Sequence, residues 1–316
     1  MRQKLEAEIS QTHITSWRMI DFANEYLSYS KERFAKKTFE EKRSAFAKLL
    51  KSVTPEMSVS DLNPSLTLTH LRKQDKGRSG NAANKDRKNL GAAWRWAQKY
   101  LQGFPLDINP FLVIEKFPEQ RLPRYVPPEE DFWPVYEVAN GQDKVMLLSF
   151  LHLAARRNEI FSLTWDDIDF GNRRIRLWTK KRESGNQEYD WLPMTSELFN
   201  TLMRWQEERP IKDVRNVFVC LDAIACNDEL NGQPFKYRQH FMKRICMKAG
   251  VKHFGFHAIR HLTASILYRE GHPVSLIQAV LRHKNPNTTS RYLRSIGLEQ
   301  VRSGLEEGLK GRYKNI

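Results

Sequence analysis

The sequence predicts a mainly α protein with one small antiparallel β-sheet, split into an N-terminal helical unit and a C-terminal α+β unit. Three observations predict it. Apolar residues recur at helical spacing through most of the chain, as Leu90, Ala93, Trp94 and Ala97 do. Two runs of strand character, RRIRLWTK and EYDWLPM, flank the turn-rich KRESGNQ, which is a hairpin signal. A proline-rich stretch interrupts the middle of a 316-residue chain, long enough for a core on either side of it.

Taken in order, FANEYLSYSKERF and TFEEKRSAFAKLLKSV read as amphipathic helices, the second capped by Thr38 with Glu41 three residues on. SVSDLNPSLTLTHLRKQ supplies a turn and a helix, LRKQDKGRSGN reads as a loop, and AANKDRKNLGAAWRWAQKYL as a long helix. Pro105, Pro110, Pro118, Pro123, Pro127 and Pro128 then exclude one continuous helix. That stretch is expected to be an interdomain linker at about 103–128, with the units falling at 1–122 and 123–316. The second unit opens with a helix after the double proline and runs through the apolar VMLLSFLHLAA into the hairpin. The remainder is expected to be mostly helical, broken at NGQP, KAGVKHFG, EGHP and HKNPN.

Charge narrows the partners. A formal charge of +15 favours polyanions, nucleic acid first and an anionic membrane surface second. The longest apolar run is too short to span a bilayer, and the first residues carry no apolar signal segment. Three cysteines without a Cys-x-x-Cys pattern point to reduced thiols, a cytoplasmic location and no zinc. Residues 71–100 hold nine Lys/Arg against two Asp. Arg72, Lys73, Lys76, Arg78, Lys85, Arg87 and Lys88 are therefore expected to face phosphates, although a solvated outer face also explains such a helix.

Four motifs of the second unit carry chemistry only as a set: Arg156 to Glu159 in ARRNE, Lys180 and Lys181 in WTKKR, His257 and Arg260 in FHAIRH, and His283 and Tyr292 in LRHKNPNTTSRY. Singly, each has a plain explanation: a helix-end cap, an edge-protecting lysine, a core histidine, a half-buried aromatic. Together they are what a metal-free attack on a phosphodiester requires. A phenol with a pKa near 10 needs a proton acceptor and a positive environment. Guanidinium groups hold the charged phosphoryl oxygens with paired donors, and a Lys or His protonates the departing sugar oxygen. His257 and Arg260 lie at i and i+3, so both can face one phosphate, and Arg156 and Glu159 share that spacing, so the carboxylate can buttress the guanidinium. No carboxylate cluster with metal-ligand spacing stands out, and no cofactor is expected.

RRNEIFSLTW, TKK, HAIRH and LRHKNPNTTSRY, in that order, resemble the tyrosine recombinases of the phage-integrase family across essentially the whole chain. The resemblance implies a SAM-like core-binding domain followed by an α+β catalytic domain. It implies Arg156, His257, Arg260 and His283 as groups holding the phosphate, Glu159 as support, and Tyr292 as nucleophile. The lysine is Lys181 in the commonest register and Lys180 if the strand is one residue shorter. The usual glycine before the second histidine is Arg282 here, a departure that puts the local backbone in question. The implied activity is site-specific cleavage and rejoining of duplex DNA through a 3′-phosphotyrosyl link, for integration or excision. The implied assembly is a homotetramer on DNA, with accessory DNA-bending or directionality proteins as further partners. A type IB topoisomerase would use the same residues for relaxation, and a catalytically silent DNA-binding protein would keep only the basic surfaces. Leu298, Val301, Leu305 and Leu309 mark a tail helix that could pack on a neighbour or on its own domain.

Overall fold

The computed structural model describes residues 17–120, 125–179, 188–221, 230–285, 289 and 305–306. Its contacts divide the chain into two compact units, Met1–Leu122 and Pro123–Ile316.

The first unit contains α1 (Met19–Arg33), α2 (Lys36–Leu49), α3 (Pro64–Gly77) and α4 (Gly80–Tyr100). Its core is aromatic. Phe22 meets Phe46 edge-on at 5.3 Å, and Trp94 of α4 packs against Phe104 at 4.8 Å. Sequence expectations need three corrections here. Thr38 does not cap α2: the Ala35 carbonyl already accepts from the Thr38 and Phe39 amides, so the helix starts earlier and Thr38 lies in its first turn. The expected loop over 71–81 is largely helix. Asn63 caps α3 by accepting from the Leu66 amide, Pro64 fits the first turn, and buried Leu71 and Gln74 carry the helix to Gly77. Only Arg78 and Ser79 connect it to α4, with Ser79 accepting from the Ala82 amide.

The expected linker is the third correction. Prolines exclude a helix there, yet Phe104 and Phe111 within the stretch are buried in the first unit's core. Arg87 donates to the carbonyls of Ile114 at 2.6 Å and Leu112 at 2.8 Å, while Asn84 exchanges two 2.9 Å hydrogen bonds with the Phe117 backbone. This strap lies so close to α4 that a Cβ on Gly80 would meet the Pro118 carbonyl oxygen at 2.0 Å, and one on Gly91 would meet Leu112 at 2.5 Å.

The second unit contains α5 (Glu129–Glu137), α6 (Gln142–Leu153), α7 (Arg157–Phe161), β1 (Ile168–Asp169), β2 (Arg174–Thr179), β3 (Glu188–Pro193), α8 (Ser196–Glu208), α9 (Phe241–Lys248), α10 (Phe256–Arg269) and α11 (Val274–Leu281). The fold is mainly α with one small antiparallel sheet, ordered β1-β2-β3. The hairpin pairs Ile175 with Leu192 and Thr179 with Glu188; β1, which the sequence reading lacked, pairs Ile168 with Ile175. Helix α6 is buried on nearly every side from Val145 to Leu153, as its unbroken apolar run demands, and packs against α5, α8 and α10. Between Glu208 and Phe241 the described residues form no α-helix, contrary to the mostly helical expectation; Pro210, Gly232 and Pro234 break the pattern.

Candidate active site and basic surface

The site is assembled where two helices end. Helix α6 stops at Ala154 and α11 at Arg282, both in the left-handed conformation with φ of 43° and 51°. Helix ends leave some of their last carbonyls without intrahelical partners and carry the negative end of the dipole, so cations gather there. Arg260, from the second turn of α10, is 1% exposed and donates to the Ala154 carbonyl at 2.6 Å and also to the Leu281 carbonyl. One guanidinium thus pins both helix ends.

Arg156 follows Ala155 as the N-cap of α7. Its backbone amide donates to Glu159 Oε2 at 2.8 Å and its Nη1 to Oε1 at 2.7 Å, so the i, i+3 buttress expected from spacing is made. Glu159 is 4% exposed, whereas the Arg156 side chain remains 31% exposed and can reach a ligand. Arg282 supplies a second cation to the same carboxylate at 2.7 Å and donates to the Leu153 carbonyl at 3.3 Å.

His283 follows directly. Burial first, then the positive charges of Arg260, Arg156 and Arg282 and the nearby His257, lower its pKa to about 4, which keeps the imidazole neutral at pH 7. These influences place all five side chains in one electrostatic neighbourhood. His283 Nδ1 lies 3.0 Å from the hydroxyl of buried Thr289, a partner that nothing in the sequence pattern singled out. His257 is exposed on the first turn of α10, not a core histidine, and its ring packs edge-on against His261 at 4.8 Å.

Lys180, Lys181 and Tyr292 lie outside the described residues, as does the tail helix apart from Leu305 and Glu306. Strand β2, which leads to the lysines, is anchored at its base. Asp167 accepts from Arg176 Nε at 2.8 Å and Trp178 Nε1 at 2.9 Å; burial opposes its charge, but the hydrogen bonds from Thr164, Trp178 and Arg176 hold its pKa below the usual carboxylate value.

The seven basic residues of 71–100 separate into two groups. Arg72, Lys73 and Lys76 are exposed along one face of α3, where with Thr69 and Gly77 they line a shallow depression, and Lys88 is exposed on α4. The others are engaged within the unit. Arg78 pairs with buried Asp86 at 2.8 Å, Lys85 with Glu41 at 2.8 Å, and Arg87 holds the strap. The acceptors for Arg87 lie 25 and 27 residues away, beyond the reach of local pattern reading.

Comparison with known proteins places this arrangement. A tyrosine recombinase XerC-like protein of Caldanaerobacter subterraneus subsp. tengcongensis is 23% identical over 227 residues, covering 62% of this chain and 57% of that protein. Tyrosine recombinase XerC of Staphylococcus carnosus is 27% identical over 196 residues, covering 58% and 62%. The alignments therefore span less than two thirds of either relative's length. In fold, the chain is similar to lambda integrase in a dimer bound to a COC′ core site, with a TM-score of 0.69 at 16% identity over 92% of this chain and 80% of that one. The model of the phage integrase family matches residues 134–297, more than half of the sequence and all of the described site, and the chain belongs to that family.

Proposed function

We propose that this protein is a site-specific DNA recombinase that cleaves and rejoins duplex DNA through a 3′-phosphotyrosyl intermediate on Tyr292, in integration or excision. The observation that carries this reading is the convergence of Arg156, Arg260, His257 and His283: Arg260 bonds the Ala154 and Leu281 carbonyls, two residues before Arg156 and His283 respectively, and His257 lies one turn before it on α10. In this reading Arg156, Arg260 and His257 hold the non-bridging oxygens of the scissile phosphate as negative charge builds on them. His283 joins them at the phosphate, and the positive charge of the arginines favours the phenolate of Tyr292, whose proton passes to water, as it attacks. Lys181, or Lys180, gives a proton to the departing 5′ oxygen. The covalent link preserves the phosphoester, so a 5′-hydroxyl can reverse the attack and reseal the strand.

Exposed Arg72, Lys73 and Lys76 act as phosphate contacts of the first unit, joined by Lys88, while Arg87 holds the strap and the exposed Arg78 and Lys85 are shared with the carboxylates of Asp86 and Glu41. A crystal structure is known of a lambda integrase tetramer bound to a Holliday junction. By likeness, four copies of this chain act together on two duplexes, in the cytoplasm, with DNA-bending or directionality proteins as accessory partners.

The deciding experiment uses a suicide DNA substrate bearing this element's crossover site. The wild type should become covalently attached to DNA and Tyr292→Phe should not. Attachment by Tyr292→Phe would remove Tyr292 as nucleophile; supercoil relaxation without recombinant products would point to a topoisomerase instead.

A further inference from the structure

Arg282 occupies a position where an L side chain is disfavoured. Its φ of 51° is the left-handed conformation that glycine adopts without strain, and it caps a helix end where glycine is the usual residue. The side chain there is not a solvated surface arginine. It is 5% exposed, and its guanidinium reaches Glu159 Oε2 at 2.7 Å and the Leu153 carbonyl at 3.3 Å. Glu159, itself 4% exposed, is thereby shared: Oε1 receives Arg156 Nη1, while Oε2 receives both the Arg156 amide and Arg282.

The electrostatic consequence follows from counting charges. Alone, Glu159 and Arg156 would form a neutral pair, and the carboxylate would cancel much of the positive field that Arg156 offers to an anion. With Arg282 added to Oε2 the trio carries one net positive charge, and a carboxylate that Arg156 already holds by both oxygens gains a third, charged hydrogen bond that further restricts it. Because Arg282 also bonds the end of α6, it ties that helix, the N-terminus of α7 and the end of α11 into one rigid corner. Enclosing Arg282 and Glu159, at 5% and 4% exposure, is costly in desolvation, and such an arrangement persists where geometry is worth the cost.

We propose that Arg282 is a positioning residue for the cleavage reaction: through Glu159 it locks Arg156 in the orientation that receives the scissile phosphate and restores the positive charge that Glu159 would otherwise cancel. This rests on the recombinase reading given above.

The test uses the full-length chain with Arg282→Gly, which removes the guanidinium and relaxes the backbone, so the variant is expected to fold. Single-turnover cleavage of the suicide substrate should fall at least tenfold in rate constant at saturating DNA, with the DNA dissociation constant within twofold of wild type. A role confined to stability would lower the melting temperature or the reactive amplitude and leave that rate constant unchanged. A second readout needs no DNA. In arginine-labelled protein, the Arg156 Nε–H signal, assigned by its loss in Arg156→Lys, should become markedly more mobile in Arg282→Gly. A cleavage rate constant within twofold of wild type, or an Arg156 signal of unchanged mobility, overturns the proposal. If wild-type protein forms no covalent adduct, the recombinase reading fails by itself, and the labelled arginine still decides whether Arg282 holds Arg156.

Discussion

The two units use arginine and lysine in opposite ways. On α3 of the first unit, Arg72, Lys73 and Lys76 project into solvent from a helix whose other side is buried. In the second unit, Arg260 and Arg282 are enclosed, with carbonyls or a carboxylate as acceptors. Exposed cations contribute a diffuse attraction that salt screens and that tolerates variation in position. Enclosed guanidiniums act through fixed geometry, and losing one exposes the fold as well as the site. Under the proposed function, the contrast separates holding DNA from acting on it.

Removing Arg260 should give the largest effect. Arg260→Ala leaves the carbonyls of Ala154 and Leu281 without this donor, and unfolding free energy of the second unit should fall by about 2–6 kcal/mol at roughly 1–3 kcal/mol per stranded buried group. Urea denaturation followed by tryptophan fluorescence measures it; a loss below about 1 kcal/mol would mean the two helix ends do not depend on this guanidinium.

Replacing Arg72, Lys73 and Lys76 together by Ala should leave unfolding nearly unchanged, since surface substitutions usually stay within about 0.5 kcal/mol each. DNA affinity at moderate salt should drop about a hundredfold, and the slope of log affinity against log salt should flatten by roughly three, near 0.9 per phosphate contact. Equal slopes for variant and parent would sharpen the comparison against us, by moving the phosphate contacts off α3.

Acid should give the smallest and most even effect, because each unit holds a histidine that burial keeps neutral. Burial is the main cause lowering His70 in the first unit from its ordinary 6.5 to about 4, and burial with neighbouring cations does the same to His283 in the second. With folded-state values below the unfolded ones, the unfolded chain binds more protons between pH 6.5 and 4. Stability from these groups is fully present above about pH 6.5 and declines as pH falls toward 4. His70→Asn should flatten that decline in the first unit alone, measured by denaturation at pH 7 and pH 5; an unchanged pH slope would show that His70 is not its source.

Much of this was legible in sequence because chemistry constrains spacing. His257 and Arg260 on one helix, Arg156 with Glu159 three residues on, and the alternation of Ile175 and Leu177 all follow from local periodicity. What escaped depends on partners far along the chain or on backbone state. Arg87 resembles its basic neighbours until a strap 25 residues later claims it. Arg282 reads in sequence only as a departure from glycine, because its carboxylate partner 123 residues upstream leaves no trace in the local pattern. The 71–81 segment has the charge and glycines of a loop, yet buried Leu71 and Gln74 hold most of it as helix.

The strap across α4 also fixes where this protein can be cut. A fragment ended at residue 102, just before the prolines, would remove Phe104 and Phe111 from the first unit's core, two aromatic side chains whose loss typically costs about 3–5 kcal/mol each. It would also strand Arg87 and uncover the faces of Gly80 and Gly91. A fragment carried through residue 120 keeps those contacts, so the proline-rich run belongs with the first unit when the chain is dissected.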